Sequence, residues 1–230
     1  MKKPHASRAI LVFESPWELD GSDANRSSVL PFVEGVAKYA GDTEVFHANF
    51  YDESSFDKAL DCLCKTRYRN AIVYIAAHGD SKSAGNVKLH ALFALISLKS
   101  QDFNITGVVL GSCFTGSRSF TLEAGIEQSA IRWCAGYASS VGWLTGTMID
   151  CAILAAASRL KPADFTTEKM VKCFGGAIAP FSPTTYIGKD EKEDPVALED
   201  SLQFVVQPSG QGHKAKNVSA AVFEEQAEYH

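Results

Sequence analysis

The sequence has no long hydrophobic run near its start. The N-terminal stretch MKKPHASRAILVFESPW holds two lysines and then five consecutive apolar residues, Ala9 to Phe13, before Glu14 and Pro16 interrupt them. A secretory leader needs an apolar core of roughly 7–15 residues and a membrane span about 20. This segment is expected to be neither, and a cytoplasmic protein is expected. Positive charge is also scarce. With 22 Lys and Arg against 27 Asp and Glu, the net charge is -5, which argues against a chain built to neutralise nucleic-acid phosphates. Neither a nucleic acid nor a membrane is expected as a partner.

Other things are missing too. No linker divides the first 180 residues, and no internal repeat is visible. Six cysteines are present, and in a reducing compartment they are expected as free thiols. Cys134, Cys151 and Cys173 sit in apolar surroundings, where a small buried hydrophobe is the usual explanation. Cys62 and Cys64, two apart on a predicted helix, point to different faces and make no zinc clamp. No metal or cofactor is implied. Gly210-Gln211-Gly212-His213-Lys214-Ala215 spells a dinucleotide-type fingerprint, but no βαβ unit follows that could hold a cofactor.

What remains is an ordinary globular composition, 46% hydrophobic over 230 residues, enough to bury one sizeable core. Residues 9–15, 44–50, 70–77, 105–112 and 130–137 read as strands. Segments 27–40, 54–66, 86–99 and 145–160 read as helices, the first two capped by Ser27 or Ser28 and by Ser54 or Ser55. Strands 70–77 and 105–112 are apolar on both faces, which fits the middle of a parallel sheet covered on each side. The predicted fold class is therefore α/β: a three-layer α/β/α sandwich with a mostly parallel central sheet and right-handed crossovers. Residues 1–208 are read as this domain. Within it, 188–195 is expected as an exposed charged loop, a candidate for self-cleavage, and 201–208 as a last edge strand. Residues 209–230 are read as a polar tail, mobile or ending in a short docked helix.

Reactive groups in a doubly wound sheet collect at the carboxyl ends of its strands. Two central strands end in such groups. One ends VYIAAHGD, placing His78 just past its last apolar residue and before Gly79. The other ends VVLGSCFTG, placing Cys113 at the equivalent point. A thiol is only a few per cent thiolate at neutral pH, and a neighbouring imidazole both activates it and can protonate a leaving amine. A tetrahedral oxyanion needs backbone N–H donors on a fixed loop, which Gly79 and Cys113 can supply.

Tyr74-Ile75-Ala76-Ala77-His78-Gly79 and Val108-Val109-Leu110-Gly111-Ser112-Cys113 resemble the paired strand ends of the caspase-like cysteine peptidases. These include caspases, metacaspases, gingipains, legumain, separase and CHAT-domain proteins. The strand Trp133 to Tyr137 and the helix after Trp143 are similar to the segment that follows the nucleophile in CHAT proteins. The resemblance spans residues 8 to 180 by element order, with the two short motifs as its specific part. It implies Cys113 as nucleophile, His78 as acid–base partner, and the N–H groups of Gly79 and Cys113 as oxyanion hole. It also implies no metal, and a protein or peptide substrate held by a charged pocket near the end of the first strand. That region holds Glu14, Glu18, Asp20, Asp23 and Arg26. An acidic pocket would select Lys or Arg, whereas Arg26 would select Asp or Glu. Asp150 is a further acidic candidate. Relatives often need processing, dimerisation or an activator; no sensor domain is recognisable, so an activator would be a partner protein.

Two other readings compete. Cys113-Phe114-Thr115-Gly116-Ser117-Arg118 after a buried strand also resembles the active loop of rhodanese sulfurtransferases, where loop N–H groups cradle a cysteine persulfide. The third reading is a catalytically silent scaffold of the same fold. Single motifs weigh little: a lone His-Gly is commonly a turn, and a Cys at a strand end is commonly core. His47 within a strand and His90 within a helix are read as structural.

Overall fold

The computed structural model describes residues 6–16, 27–210 and 212–229. Its central sheet has seven strands. Along the chain these are β1 (Arg8–Glu14), β2 (Thr43–Asn49), β3 (Asn70–Ala76), β6 (Ile105–Gly111), β7 (Trp133–Tyr137), β10 (Leu202–Val206) and β11 (Lys216–Asn217). Two small hairpins lie outside it, β4 (Ser83–Ala84) with β5 (Val87–Lys88), and β8 (Tyr186–Lys189) with β9 (Pro195–Ala197). In space the sheet runs β11-β10-β7-β6-β3-β1-β2, with β2, β1, β3, β6 and β7 parallel, β10 antiparallel to β7, and β11 antiparallel to β10.

The two-sided apolarity of the central strands has a direct physical outcome. In β1, Ala9, Leu11 and Phe13 enter one core while Ile10 and Val12 enter the other, as the two-residue repeat of a strand requires. One layer holds α2 (Glu53–Leu63), α3 (Leu89–Phe103) and α4 (Ser119–Ile126). The other holds α1 (Leu30–Ala40), α5 (Trp143–Ala157), α6 (Thr167–Ile178) and α8 (Ser219–Ala227); a short α7 (Leu198–Ser201) precedes β10. Among the described residues no helix is long and apolar enough to cross a membrane.

Several local expectations change. Helix α2 is capped by Asp52, which accepts from Ser55 N–H while Ser55 Oγ accepts from Asp52 N–H. Helix α1 starts three residues later than expected; Ser28, one of its two expected caps, accepts from Leu30 N–H, and the Glu14 carboxylate takes Val29 N–H. The strand at 202–206 is not an edge: Phe204, Val205 and Val206 are buried on both faces, and the two-residue, polar, exposed β11 covers it. A short polar edge is how sheets discourage further pairing. Residues 167–178 carry Gly175 and Gly176, which obscure a helix in the sequence. In α6 the reason for Gly175 is contact, since a Cβ there would lie 2.6 Å from Glu225 Cγ of α8. Residues 209–229, polar by composition, thus contribute an edge strand and a docked helix. The charged stretch 188–195 is a hairpin rather than an open loop. Asp190 closes its tip, accepting from the N–H groups of Lys192 and Asp194.

Candidate active site

Strands β3 and β6 are neighbours, and their last residues, Ala76 and Gly111, pair. Ala77 and Ser112 follow as buried residues. His78 and Cys113 come next, on the face that carries Tyr74 and Val109. Both line one cavity of about 210 Å³ at the carboxyl end of the sheet. His78 is exposed and Cys113 half-buried; the Cys113 thiol points toward Val141 O at 3.9 Å.

The backbone around the pair is tightly fixed. A Cβ on Gly79 would lie 2.6 Å from Cys113 O and 2.8 Å from Ser112 Cβ, so only glycine lets the two strand ends meet. After Gly79 the chain turns back through β4. The hairpin bonds run from Asp80 N–H to Ser83 O and from Gly85 N–H to His78 O. Gly79's own N–H takes no part in them. Beyond Cys113, Phe114 adopts a left-handed φ of 61°, a conformation disfavoured for residues with a Cβ. It is held there by donation from Phe114 N–H to Ser139 O, and the turn continues with Gly116 N–H to Tyr137 O and Ser117 N–H to Phe114 O. These three N–H groups are therefore committed to backbone carbonyls.

Helix α5 supplies the floor. Trp143, Gly146 and Thr147 line the cavity, and Asp150 follows on the same face at helical spacing. Asp150 is fully buried. Tyr74 Oη donates to its Oδ2 at 2.9 Å and Tyr137 Oη to its Oδ1 at 2.8 Å. Burial pushes this carboxyl up to about 7, while the tyrosine hydrogen bonds pull the other way. Both tyrosine hydroxyls are pushed well above their usual value, first by burial and then by the facing carboxylate. Gly111 separates Asp150 from the cavity; a Cβ there would sit 2.6 Å from Asp150 Oδ2.

The remaining walls are braced from elsewhere. Val141 belongs to a segment stitched to β8 by Ser140 N–H to Lys189 O (2.9 Å) and Gly142 N–H to Ile187 O (3.0 Å). Gly188 must be glycine, because a Cβ would run into the Ser140 carbonyl. Val29, before α1, closes another side. Trp143 meets Phe32 of α1 edge-on, with ring centroids 5.8 Å apart.

This architecture has a counterpart among solved structures. A secreted C11 cysteine protease from Bacteroides thetaiotaomicron, "iotapain", superposes with a TM-score of 0.54 at 10% sequence identity, over 88% of this chain and 67% of that one. The likeness is one of fold: a mostly parallel central sheet flanked by helices. No protein-family model and no curated protein matches the chain.

Of the residues singled out by sequence, the structure brings His78, Gly79 and Cys113 together and sets Asp150 behind the cavity floor. Glu18, Asp20, Asp23 and Arg26 lie outside the described residues. Glu14 is buried and engaged by protein donors, so it does not face the cavity as a free charge. Among the described residues no group of three or more His, Cys, Asp or Glu side chains is placed to hold a metal ion. Sequence reasoning missed Tyr74 and Tyr137, which look like ordinary strand aromatics. The readable signal was the spacing Trp143, Thr147, Asp150, one helix face carrying a carboxyl amid apolar residues.

Proposed function

We propose that this protein is a cysteine endopeptidase in which Cys113 is the nucleophile and His78 the acid–base partner. The observation that carries the reading is the pairing of Ala76 with Gly111, which delivers an imidazole and a thiol to one cavity. The Cys113 proton passes to His78 as the sulfur attacks the scissile carbonyl carbon. The N–H groups of Gly79 and Cys113 take the negative charge on the tetrahedral oxygen. Collapse breaks the C–N bond, the amine leaves with the proton from His78, and a thioester remains. Water then attacks the thioester, giving its proton to His78, and the carboxylic product departs as Cys113 regains its proton.

The cavity favours a basic residue before the scissile bond. Its walls are apolar, as suits the stem of a lysine or arginine, and a carboxyl stands behind its floor. Asp150 does not itself line the cavity, its oxygens being held by Tyr74 and Tyr137, so its charge would act on an entering cation only from behind Gly111. Against a sulfurtransferase stands the loop after Cys113: its N–H groups at Phe114, Gly116 and Ser117 are already spent on carbonyls and cannot cradle a persulfide.

Labelling of Cys113 by iodoacetamide across pH, in the parent and in His78→Ala, tests the pair. Reaction well below pH 8 that depends on His78 is expected; equal reaction in both removes the mechanism. Fluorogenic peptides with Lys, Arg, Asp or Glu before the cleaved bond then test selectivity. Turnover confined to Lys and Arg, lost in Asp150→Asn, is expected. A chain that labels yet cleaves none of them is a scaffold rather than a peptidase.

A further inference from the structure

Glu14 ends β1, yet the residue is only 5% exposed. Three donors occupy it. Val29 N–H reaches Oε1 at 2.9 Å, Ser28 Oγ reaches Oε2 at 2.8 Å, and His47 Nε2 lies 3.1 Å from the same oxygen. Two of these come from the start of α1, the third from β2. The arrangement follows from register: His47 pairs with Val12, two residues before Glu14, so both side chains lie on one face of the sheet.

Helix α1 needs this. Its N-cap position is Val29, whose side chain has no acceptor; Ser28 Oγ accepts from Leu30 N–H at 3.2 Å, which leaves Val29 N–H for Glu14. First-turn N–H groups left bare cost stability, and a carboxylate at a helix N-terminus answers both those groups and the helix dipole. Glu14 therefore completes from a neighbouring strand the cap that Ser28 begins locally, accepting from Val29 N–H and holding the Ser28 hydroxyl. Val29 is also a wall of the cavity that holds His78 and Cys113, and it is 1% exposed. The group that caps α1 is the group that fixes this wall.

We infer that Glu14, held by His47, is a positioning residue that sets the substrate cavity through Val29 and touches no substrate itself. The inference rests on the peptidase reading of the cavity. It assigns Glu14 an effect on substrate affinity with none on the reactivity of the Cys113 thiol.

The test separates affinity from chemistry. A peptidyl acyloxymethyl ketone with lysine next to the reactive group labels Cys113 saturably, giving KI and kinact, while iodoacetamide reports the thiol alone. In Glu14→Ala, KI is expected to rise about tenfold, the scale of a lost charge-assisted hydrogen bond, with kinact and the iodoacetamide rate within about twofold of the parent. Glu14→Gln keeps an acceptor for Val29 N–H and is expected to recover most of the affinity. Should Glu14→Ala not fold, His47→Phe, which deletes one donor at the half-exposed side, decides: a rise in KI of about threefold is expected. Unchanged KI in a folded Glu14→Ala or in His47→Phe overturns the assignment, as does a parallel fall in kinact and iodoacetamide rate. A parent that reacts with iodoacetamide but not with the peptidyl probe overturns the peptidase reading and this inference with it.

Discussion

Gly79 and Cys113 are in contact through their backbones: the position of a Cβ on Gly79 is 2.6 Å from the Cys113 carbonyl oxygen. The imidazole-bearing turn and the thiol-bearing turn are thus fitted to each other without a side chain between them. The register of β3 on β6 fixes that fit. A slip of one residue would send either His78 or Cys113 to the opposite layer.

Gly79→Ala is expected to break this contact. The obstacles are backbone and Cβ atoms, which cannot swing away as a flexible side chain would. Overpacking of this kind costs about 1–3 kcal/mol, to be read from urea unfolding. If the Gly79 N–H also serves the oxyanion, kcat/KM is expected to fall by about 100-fold or more, beyond what the stability loss accounts for. Activity and stability both unchanged would show that the strand ends can part without consequence.

Asp150 gives a pH-dependent signature. Burial pushes its carboxyl up to about 7 from an ordinary 3.8, so the native state holds the proton more tightly than the unfolded state. The stabilisation from that proton is complete below about pH 4 and is lost as pH rises to about 7. The parent should therefore lose on the order of a few kcal/mol relative to Asp150→Asn between pH 4 and 8, followed by denaturant unfolding at each pH. Tyr137→Phe removes a hydrogen bond that favours the charged form, and the loss should then extend to higher pH. Parallel pH profiles for parent and Asp150→Asn would contradict the burial-driven shift.

Much of the fold was legible because the central strands announce themselves. Segments 70–77 and 105–112 are apolar on both faces, and only a covered parallel sheet accommodates that. The same strands end in His78 and Cys113, so the cavity could be anticipated once adjacency was inferred. The floor could not. Tyr74 and Tyr137 belong to different strands and meet at Asp150 only after α5 packs across them. The cap of α1 was legible only in part: Ser28 does accept from Leu30 N–H, while the carboxylate that answers Val29 N–H arrives from β1. Helix α6 was hidden by Gly175 and Gly176, whose value lies in the approach of α8, a relationship between distant segments.

The C-terminal residues are expected to be required for folding. Val222 completes the second core, and Gln226 Nε2 donates to Ile178 O and Phe181 O at the end of α6. Gln226→Ala should cost about 1–3 kcal/mol by leaving those carbonyls without a donor, measured by thermal or urea unfolding. A chain ending at residue 208 should lose cooperative unfolding altogether. Retained cooperativity in that truncation would mean that β11 and α8 are dispensable.

His78 and Cys113 follow the two central strands of the sheet. Strands β3 and β6 occupy the centre, each flanked by a neighbour on both sides, and central strands are the last to open in native-state fluctuations. Fraying at β2 or β11 leaves them closed. Partial unfolding at the margins is therefore expected to leave the strand ends that carry the imidazole and the thiol paired.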